Sequence, residues 1–202
     1  MYKAFGKRVL DVILSLLGIA FLIIPMLIIS IFIVADSKGS VLFKQKRVGR
    51  NKKYFNILKF RTMRTDAPKD CPTHLLGNAE SCITKVGSFL RKTSLDELPQ
   101  IFNILRGQMS IIGPRPALWN QYDLIKERDK YGANDITPGL TGWAQINGRD
   151  ELPIDVKARY DGEYVGKISF VFDVKIFFKT IFKVFRMDGV VEGQQNNTEI
   201  SK

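Results

Sequence analysis

The sequence predicts an α+β fold, mostly helical, in which a re-entrant membrane helix-break-helix precedes a compact domain with a small β-hairpin and amphipathic interfacial helices. Three observations predict it. Val12 to Val34 contains no charged residue and has Pro25 near its midpoint. Val41 to Val48 and Tyr54 to Phe60 are β-prone runs joined by Gly49-Arg50-Asn51-Lys52, a hairpin with a longer turn. Phe172 to Arg186 alternates lysines and apolar residues at helical spacing.

The apolar segment is long enough to cross a bilayer as a straight helix of roughly 35 Å. Its flanks argue against a crossing. Lys3, Lys7 and Arg8 precede it, and Lys38, Lys44, Lys46, Arg47, Arg50, Lys52 and Lys53 follow, so both ends prefer the cytoplasmic side. Pro25 removes a backbone donor and supplies the bend, giving two arms of about 12 residues that enter and leave one leaflet. An ordinary kinked span is the alternative, because proline is tolerated in membrane helices. A cleavable signal peptide fits poorly, since the apolar core exceeds the roughly 7 to 15 residues such peptides carry.

The expected organisation is a membrane hairpin over residues 1–36, one cytoplasmic domain over 37–193 and a polar tail over 194–202. Lysine and arginine number 31 against 20 acidic residues, a net charge of +11, which implies a polyanionic partner such as nucleic acid, anionic lipid or a phosphorylated small molecule. The hairpin favours the last two, and no nucleic-acid fold motif is visible. Cys71, His74 and Cys82 supply too few ligands, at the wrong spacing, for a structural zinc site. With one histidine in the whole chain, any catalysis must rest on carboxylates, lysine or arginine.

Further elements follow in order. Thr65 to Cys82 holds Pro68, Pro72, Gly77 and Asn78 and is expected as a loop, with a short helix over Ile83 to Leu90. Leu98, Ile101, Phe102 and Leu105 have helical spacing, stopped by Gly107. Gly113-Pro114-Arg115-Pro116 forces an extended turn. Ala117 to Tyr131 is expected as a charged, exposed helix, Thr137 to Trp143 as a rigid loop, and Ile154 to Val165 as a helix. In the last helix, Lys175, Lys179 and Lys183 oppose Val174, Phe177, Phe178, Ile181, Phe182 and Phe185. That aromatic face suits a bilayer surface, the core, or a second copy of the chain.

The chemistry concentrates in Arg91-Lys92-Thr93-Ser94-Leu95-Asp96-Glu97-Leu98-Pro99-Gln100. Ser94 and Glu97 have the spacing of a capping box, a purely structural role. Pro99 opposes that register, because it would occupy a position needing an intrahelical N–H, whereas Asp96 as N-cap puts Pro99 where the donor is unbonded anyway. Asp96 then marks the turn into the helix, and Glu97 beside it can bind a divalent cation. A carboxylate here can attack phosphorus if cations first neutralise the phosphate, and Lys59, Arg61, Arg64, Arg91, Arg106, Arg115 and Arg149 all lie beside turns. A solvated basic face is the other reading, in which the protein is a non-catalytic membrane scaffold binding anionic lipid.

Five motifs in order, Lys59-Phe60-Arg61-Thr62-Met63, Ser94 to Gln100, Gly113 to Pro116, Pro138 to Gly142 and Asn147-Gly148-Arg149, resemble the bacterial sugar transferases, the small monotopic phosphoglycosyl transferases. The likeness runs from the hairpin to about Gly193. It implies transfer of a sugar 1-phosphate from a UDP-sugar to undecaprenyl phosphate, with release of UMP, at the cytoplasmic face of the bacterial inner membrane. It further implies Asp96 as the covalent nucleophile, Glu97 as the residue near a Mg2+ cofactor, Arg91 and Arg115 as phosphate-positioning groups with Lys59 and Arg149 contributing, and Pro25 as the hairpin break. The family often has serine before that proline, and here Ile24 stands in its place.

Overall fold

The computed structural model describes residues 2–67, 82–148 and 152–185. A short π-helical turn, Tyr2–Gly6, leads into α1 (Lys7–Asp36), followed by β1 (Leu42–Val48), β2 (Tyr54–Phe60), α2 (Lys85–Lys92) and α3 (Gln100–Leu105). The second half contains β3 (Ser110–Ile112), α4 (Tyr122–Asp129), β4 (Gly139–Thr141), α5 (Trp143–Ile146), α6 (Ile154–Lys167) and α7 (Phe170–Phe185). The molecule is mostly helical, with the β1–β2 hairpin that the patterning predicts and a second small sheet that it does not.

Helix α1 continues through Pro25, in place of the two separate arms expected. Proline forfeits one bond of the ladder, while the turns on both sides keep theirs. Ile13, Leu16, Phe21, Leu27, Ile31 and Phe32 are among its exposed side chains, yet both ends dock on the same body. At one end Arg8 bonds the carbonyls of Ile104 and Leu105, and Asp11 accepts from the Ile111 amide. At the other, Asp36 accepts from Val86 N, and Arg61 bonds the carbonyls of Ser37 and Lys38. Gly18 permits the crossing between, because a Cβ there would meet Ile101 Cδ1 at 2.5 Å.

Strands β1 and β2 pair antiparallel from Leu42 opposite Phe60 to Val48 opposite Tyr54. Their connection turns through Asn51 and Lys52, both at positive φ, and Asn51 N bonds Asn134 O. One core lies where α1 meets the hairpin and α2, around Met26, Ile33, Phe60 and Leu90. A second lies beneath the hairpin, around Phe55, Ile57, Ile104 and Met109, and a third gathers Ile112, Ile146, Tyr164 and Ile176. Burial of such side chains contributes roughly 1.5–3 kcal/mol each.

Two further expectations are corrected. The helix expected over Ala117 to Tyr131 is only Tyr122–Asp129, because Val48 N bonds Ala117 O and Leu118 N bonds the Gln121 side chain, tying the first residues to β1 as extended chain. It is also less exposed than its charge suggests, since Arg128 is buried against Asp161 at 2.6 Å. The stretch expected as a loop over Thr137 to Trp143 contains β4, which pairs parallel with β3. Three-residue strands leave too short a pattern for periodicity to reveal.

Helix α7 resolves one open choice. Asp173 and Ile176 are buried and Thr180 is half-buried, whereas Phe170, Val171, Phe178 and Phe182 are exposed. Most of its aromatic face is therefore turned away from the core. Lys175 and Lys179 stand over the Trp143 ring at 5.9 and 5.6 Å.

Candidate active site

The dyad sits in a tight 3-10 turn, Leu95–Glu97, between α2 and α3. Ser94, which precedes it, adopts the left-handed conformation at φ 58° and makes no side-chain cap, so the capping box does not form. Asp96 is not the N-cap either. Pro99 occupies the position before α3, and without an N–H it cannot close an α-helical bond to the Leu95 carbonyl. Leu98 N takes that carbonyl at 3.3 Å, and the turn stays 3-10.

Asp96 is buried, and Glu97 beside it is half-buried. Lys59, from β2, extends Nζ to 2.7 Å from Glu97 Oε1 and 3.4 Å from Asp96 Oδ2. Arg115 brings Nη2 to 2.7 Å from Glu97 Oε1 and Nη1 to 3.5 Å from Oε2. Arg91, in the last turn of α2, donates from Nε to Thr62 Oγ1 at 2.9 Å and adds positive charge near Asp96. The structure thus brings together five of the six sequence-predicted site residues in this region. Arg149 lies outside the described residues, as do Cys71 and His74.

The two carboxyls are pushed apart. Burial raises Asp96, against the opposing charge of Lys59, and the neighbouring Glu97 carboxylate raises it further. Burial acts on Glu97 too, but Arg115 and then Lys59 outweigh it and hold that carboxyl well below the usual range. Glu97 is therefore the fixed anion that gathers cations. Asp96 keeps a reserve of basicity and a looser contact with Lys59.

The loop carrying Arg115 is held from both sides. Gly113 N bonds Thr141 O at 2.8 Å and Gly139 N bonds Pro114 O at 2.9 Å. The approach requires glycine, since a Cβ on Gly139 would lie 2.6 Å from Gly113 Cα. On the other side Arg47 donates Nη1 to Pro116 O at 3.0 Å and Nη2 to Gln45 Oε1. Behind the dyad, Asn103 accepts from Leu58 N and donates to Asn56 O, fastening α3 to the edge of β2. Sequence reading singled out neither Arg47, Gln45 nor Asn103. Only the alternation of β1, which puts Gln45 and Arg47 on the same strand face, pointed toward the first two.

Among the described residues no three His, Cys, Asp or Glu side chains cluster as a metal site. Two adjacent carboxylates do fit a hard divalent ion of the Mg2+ type, which is held by one or two carboxylates and completed by substrate phosphates and water. Glu97 Oε1 already serves both cations, and Oε2 lies only at the edge of Arg115's reach.

A strained turn presenting a buried Asp and a half-buried Glu to three cations, on a domain carrying a long apolar helix with many exposed side chains, defines a membrane-associated protein suited to phosphate chemistry. The chain belongs to the bacterial sugar transferase family, whose sequence profile matches residues 2–187. It is 42% identical over 172 residues to the uncharacterized sugar transferase EpsL of Bacillus subtilis, covering 85% of this chain and 82% of the relative. It is 42% identical over 188 residues to the UDP-glucose:undecaprenyl-phosphate glucose-1-phosphate transferase of Escherichia coli, covering 89% of this chain and 40% of the relative. With the UDP-galactose-lipid carrier transferase of Erwinia amylovora it shares 37% over 205 residues, covering 92% and 41%. The chain spans about two fifths of the length of these last two relatives.

Proposed function

We propose that the protein transfers a sugar 1-phosphate from a UDP-sugar to undecaprenyl phosphate and releases UMP, as the first membrane step of glycoconjugate or polysaccharide assembly. The observation that carries this reading is the division of labour in the dyad: Glu97 is clamped by Lys59 and Arg115, while Asp96 is buried, basic and one residue away. The names of the relatives support the substrate classes.

In the proposed sequence an Asp96 carboxylate oxygen bonds to the sugar-bearing phosphorus. The bond from that phosphorus to the bridging oxygen breaks, and its electron pair leaves with UMP. A phosphate oxygen of the lipid then attacks the same phosphorus and breaks its bond to Asp96, restoring the carboxylate. Arg115, Lys59 and Arg91 neutralise phosphate charge that would otherwise repel an anionic nucleophile. Glu97, with Asp96 adjacent, would hold a Mg2+ ion, which when bound supplies further charge neutralisation at the leaving phosphate.

The same reading extends to the membrane. If α1 crossed the bilayer, its ends would be parted by about 30 Å of hydrocarbon. Here residues 7–11 and 36–38 both bond one domain, while most of the side chains between are apolar and many of them, such as Phe21, Leu27, Ile31 and Phe32, are exposed. This supports an anchor with both ends at one face, the cytoplasmic face by the lysine and arginine bias, although α1 runs through Pro25 without the break that a re-entrant path was expected to use.

The test is UMP release by the purified protein with Mg2+, undecaprenyl phosphate and a panel of UDP-sugars, beside Asp96→Asn. Lipid-dependent release that is lost in the variant is expected. Undiminished release by Asp96→Asn would remove Asp96 as nucleophile.

A further inference from the structure

Two of the three charges at the start of α1, the half-buried Arg8 and the buried Asp11, bond back onto the protein. Each is spent on backbone atoms of an element that adjoins part of the site, α3 following the dyad and β3 preceding Arg115. Arg8 donates Nη1 to Ile104 O at 2.6 Å and Nη2 to Leu105 O at 2.7 Å, the last carbonyls of α3. Helix α3 has six residues and begins three residues after Glu97. So short a helix is not stable by itself, and its terminal carbonyls need partners. Gly107, at φ 79°, turns the chain away in a conformation that favours glycine, beside the Arg8 guanidinium.

Asp11 does the corresponding work on the other half of the site. Its Oδ1 accepts from Ile111 N at 3.0 Å, in the middle residue of β3, and Arg115 follows three residues after that strand ends. The β3–β4 pair has three residues per strand and is too small to hold its place alone. A second link runs through Asp173, which accepts from Lys7 Nζ at 2.6 Å, Tyr2 OH at 2.6 Å and Tyr164 OH at 2.8 Å. Tyr164 OH in turn lies 3.2 Å from Ile112 O, on the same strand.

We propose that Arg8 and Asp11 are positioning residues, one setting the dyad through α3 and the other setting Arg115 through β3, so that the site is in register only while the anchor helix is docked. The catalytic readout rests on the sugar-phosphate transfer reading. The geometric readout does not.

The experiment compares Arg8→Gln, Arg8→Lys, Asp11→Ala and Asp11→Asn with the full-length wild type in nanodiscs, by steady-state UMP release and by hydrogen–deuterium exchange. Arg8→Gln is expected to lower kcat at least about tenfold with KM for the UDP-sugar little changed, because the dyad is displaced while the nucleotide site stays. Asp11→Ala is expected to raise KM at least about tenfold through Arg115, and Asp11→Asn, which keeps an acceptor oxygen for Ile111, is expected to restore it. Exchange should quicken across residues 96–105 in Arg8→Gln and across 110–115 in Asp11→Ala. Kinetics equal to wild type, or an equal fall in kcat in both with no rescue by Asp11→Asn, would overturn the proposal and leave a merely structural role. Should Arg8→Gln not fold, Arg8→Lys decides, with an intermediate kcat expected and a wild-type kcat overturning it. A wild type that releases no UMP sinks the transfer reading, and exchange unchanged in both segments then sinks the positioning roles of Arg8 and Asp11 as well.

Discussion

Lys59 Nζ stands 0.7 Å closer to Glu97 than to Asp96, at 2.7 against 3.4 Å, although it reaches both. The cation is committed to Glu97, the member of the dyad that does not attack in the proposed transfer. Asp96 is left near positive charge without being neutralised by a short contact, which is the state a carboxylate nucleophile requires.

Asp96→Asn is therefore expected to lower UMP release by on the order of 10⁴-fold, a loss typical of removing a nucleophile, with folding and membrane association retained. Rapid-quench measurement of UMP in the absence of lipid checks the first half-reaction directly. A stoichiometric burst in the wild type should vanish in the variant.

The pH dependence follows from the direction of the shifts. Burial first, then the Glu97 charge, raises Asp96, so the acid limb of the UMP-releasing step should lie above the ordinary aspartate pKa of 3.8. Lys59 lowers Asp96, so Lys59→Met should move that limb to higher pH. For stability the sign reverses: a raised Asp96 favours the folded state below its unfolded pKa, and this contribution is lost as pH rises through the folded value. Glu97, held low by Arg115 and Lys59, contributes stability that is fully present above its unfolded pKa and is lost progressively as pH falls from there through its folded value. Rate–pH profiles and melting curves of the same preparations check both.

Arg115→Ala should raise KM for the UDP-sugar at least about tenfold while the melting temperature changes little, since this partly exposed side chain adds little to stability. Arg115→Lys should recover only part of the loss, because an ammonium lacks the planar fork that meets two oxygens. Unchanged kinetics would remove Arg115 from phosphate binding.

Asp161→Ala should destabilise the protein by about 3–5 kcal/mol, because it strands the buried Arg128 guanidinium, bonded at 2.6 Å. Chemical denaturation checks this. The pair ties α4 to α6, remote from the dyad in sequence, so KM below the melting transition should stay as in the wild type.

For the membrane, Lys3→Cys and Lys38→Cys should react with an impermeant maleimide from the same side of sealed inverted vesicles. Protection of one and labelling of the other would mean that α1 crosses.

Much of this protein is legible in its sequence where the signal is local and repeated. The uncharged run of α1, the alternation of β1 and β2, the 3.6-residue spacing of α7 and the Asp96-Glu97 pair behind Pro99 each reflect a constraint that acts within a few residues. What pattern left open was settled by packing. The register at Ser94 could be read two ways and matched neither, because the missing N–H of Pro99 makes a 3-10 turn. The short strands β3 and β4 carry no period, and they exist because Gly113 and Gly139 let two backbones meet.

By itself, then, the sequence determined which residue types were available for the chemistry and which stretches avoid water, since charge, backbone donors and side-chain apolarity are properties of the residues alone. Tertiary structure decided which cation faces which carboxylate and that both ends of α1 dock on one body. Those are relations between residues 18 to 166 positions apart, such as Arg115 with Glu97 and Lys7 with Asp173. No local preference encodes such a pairing, which arises only when the cores around Phe60 and Ile104 close and bring the elements together.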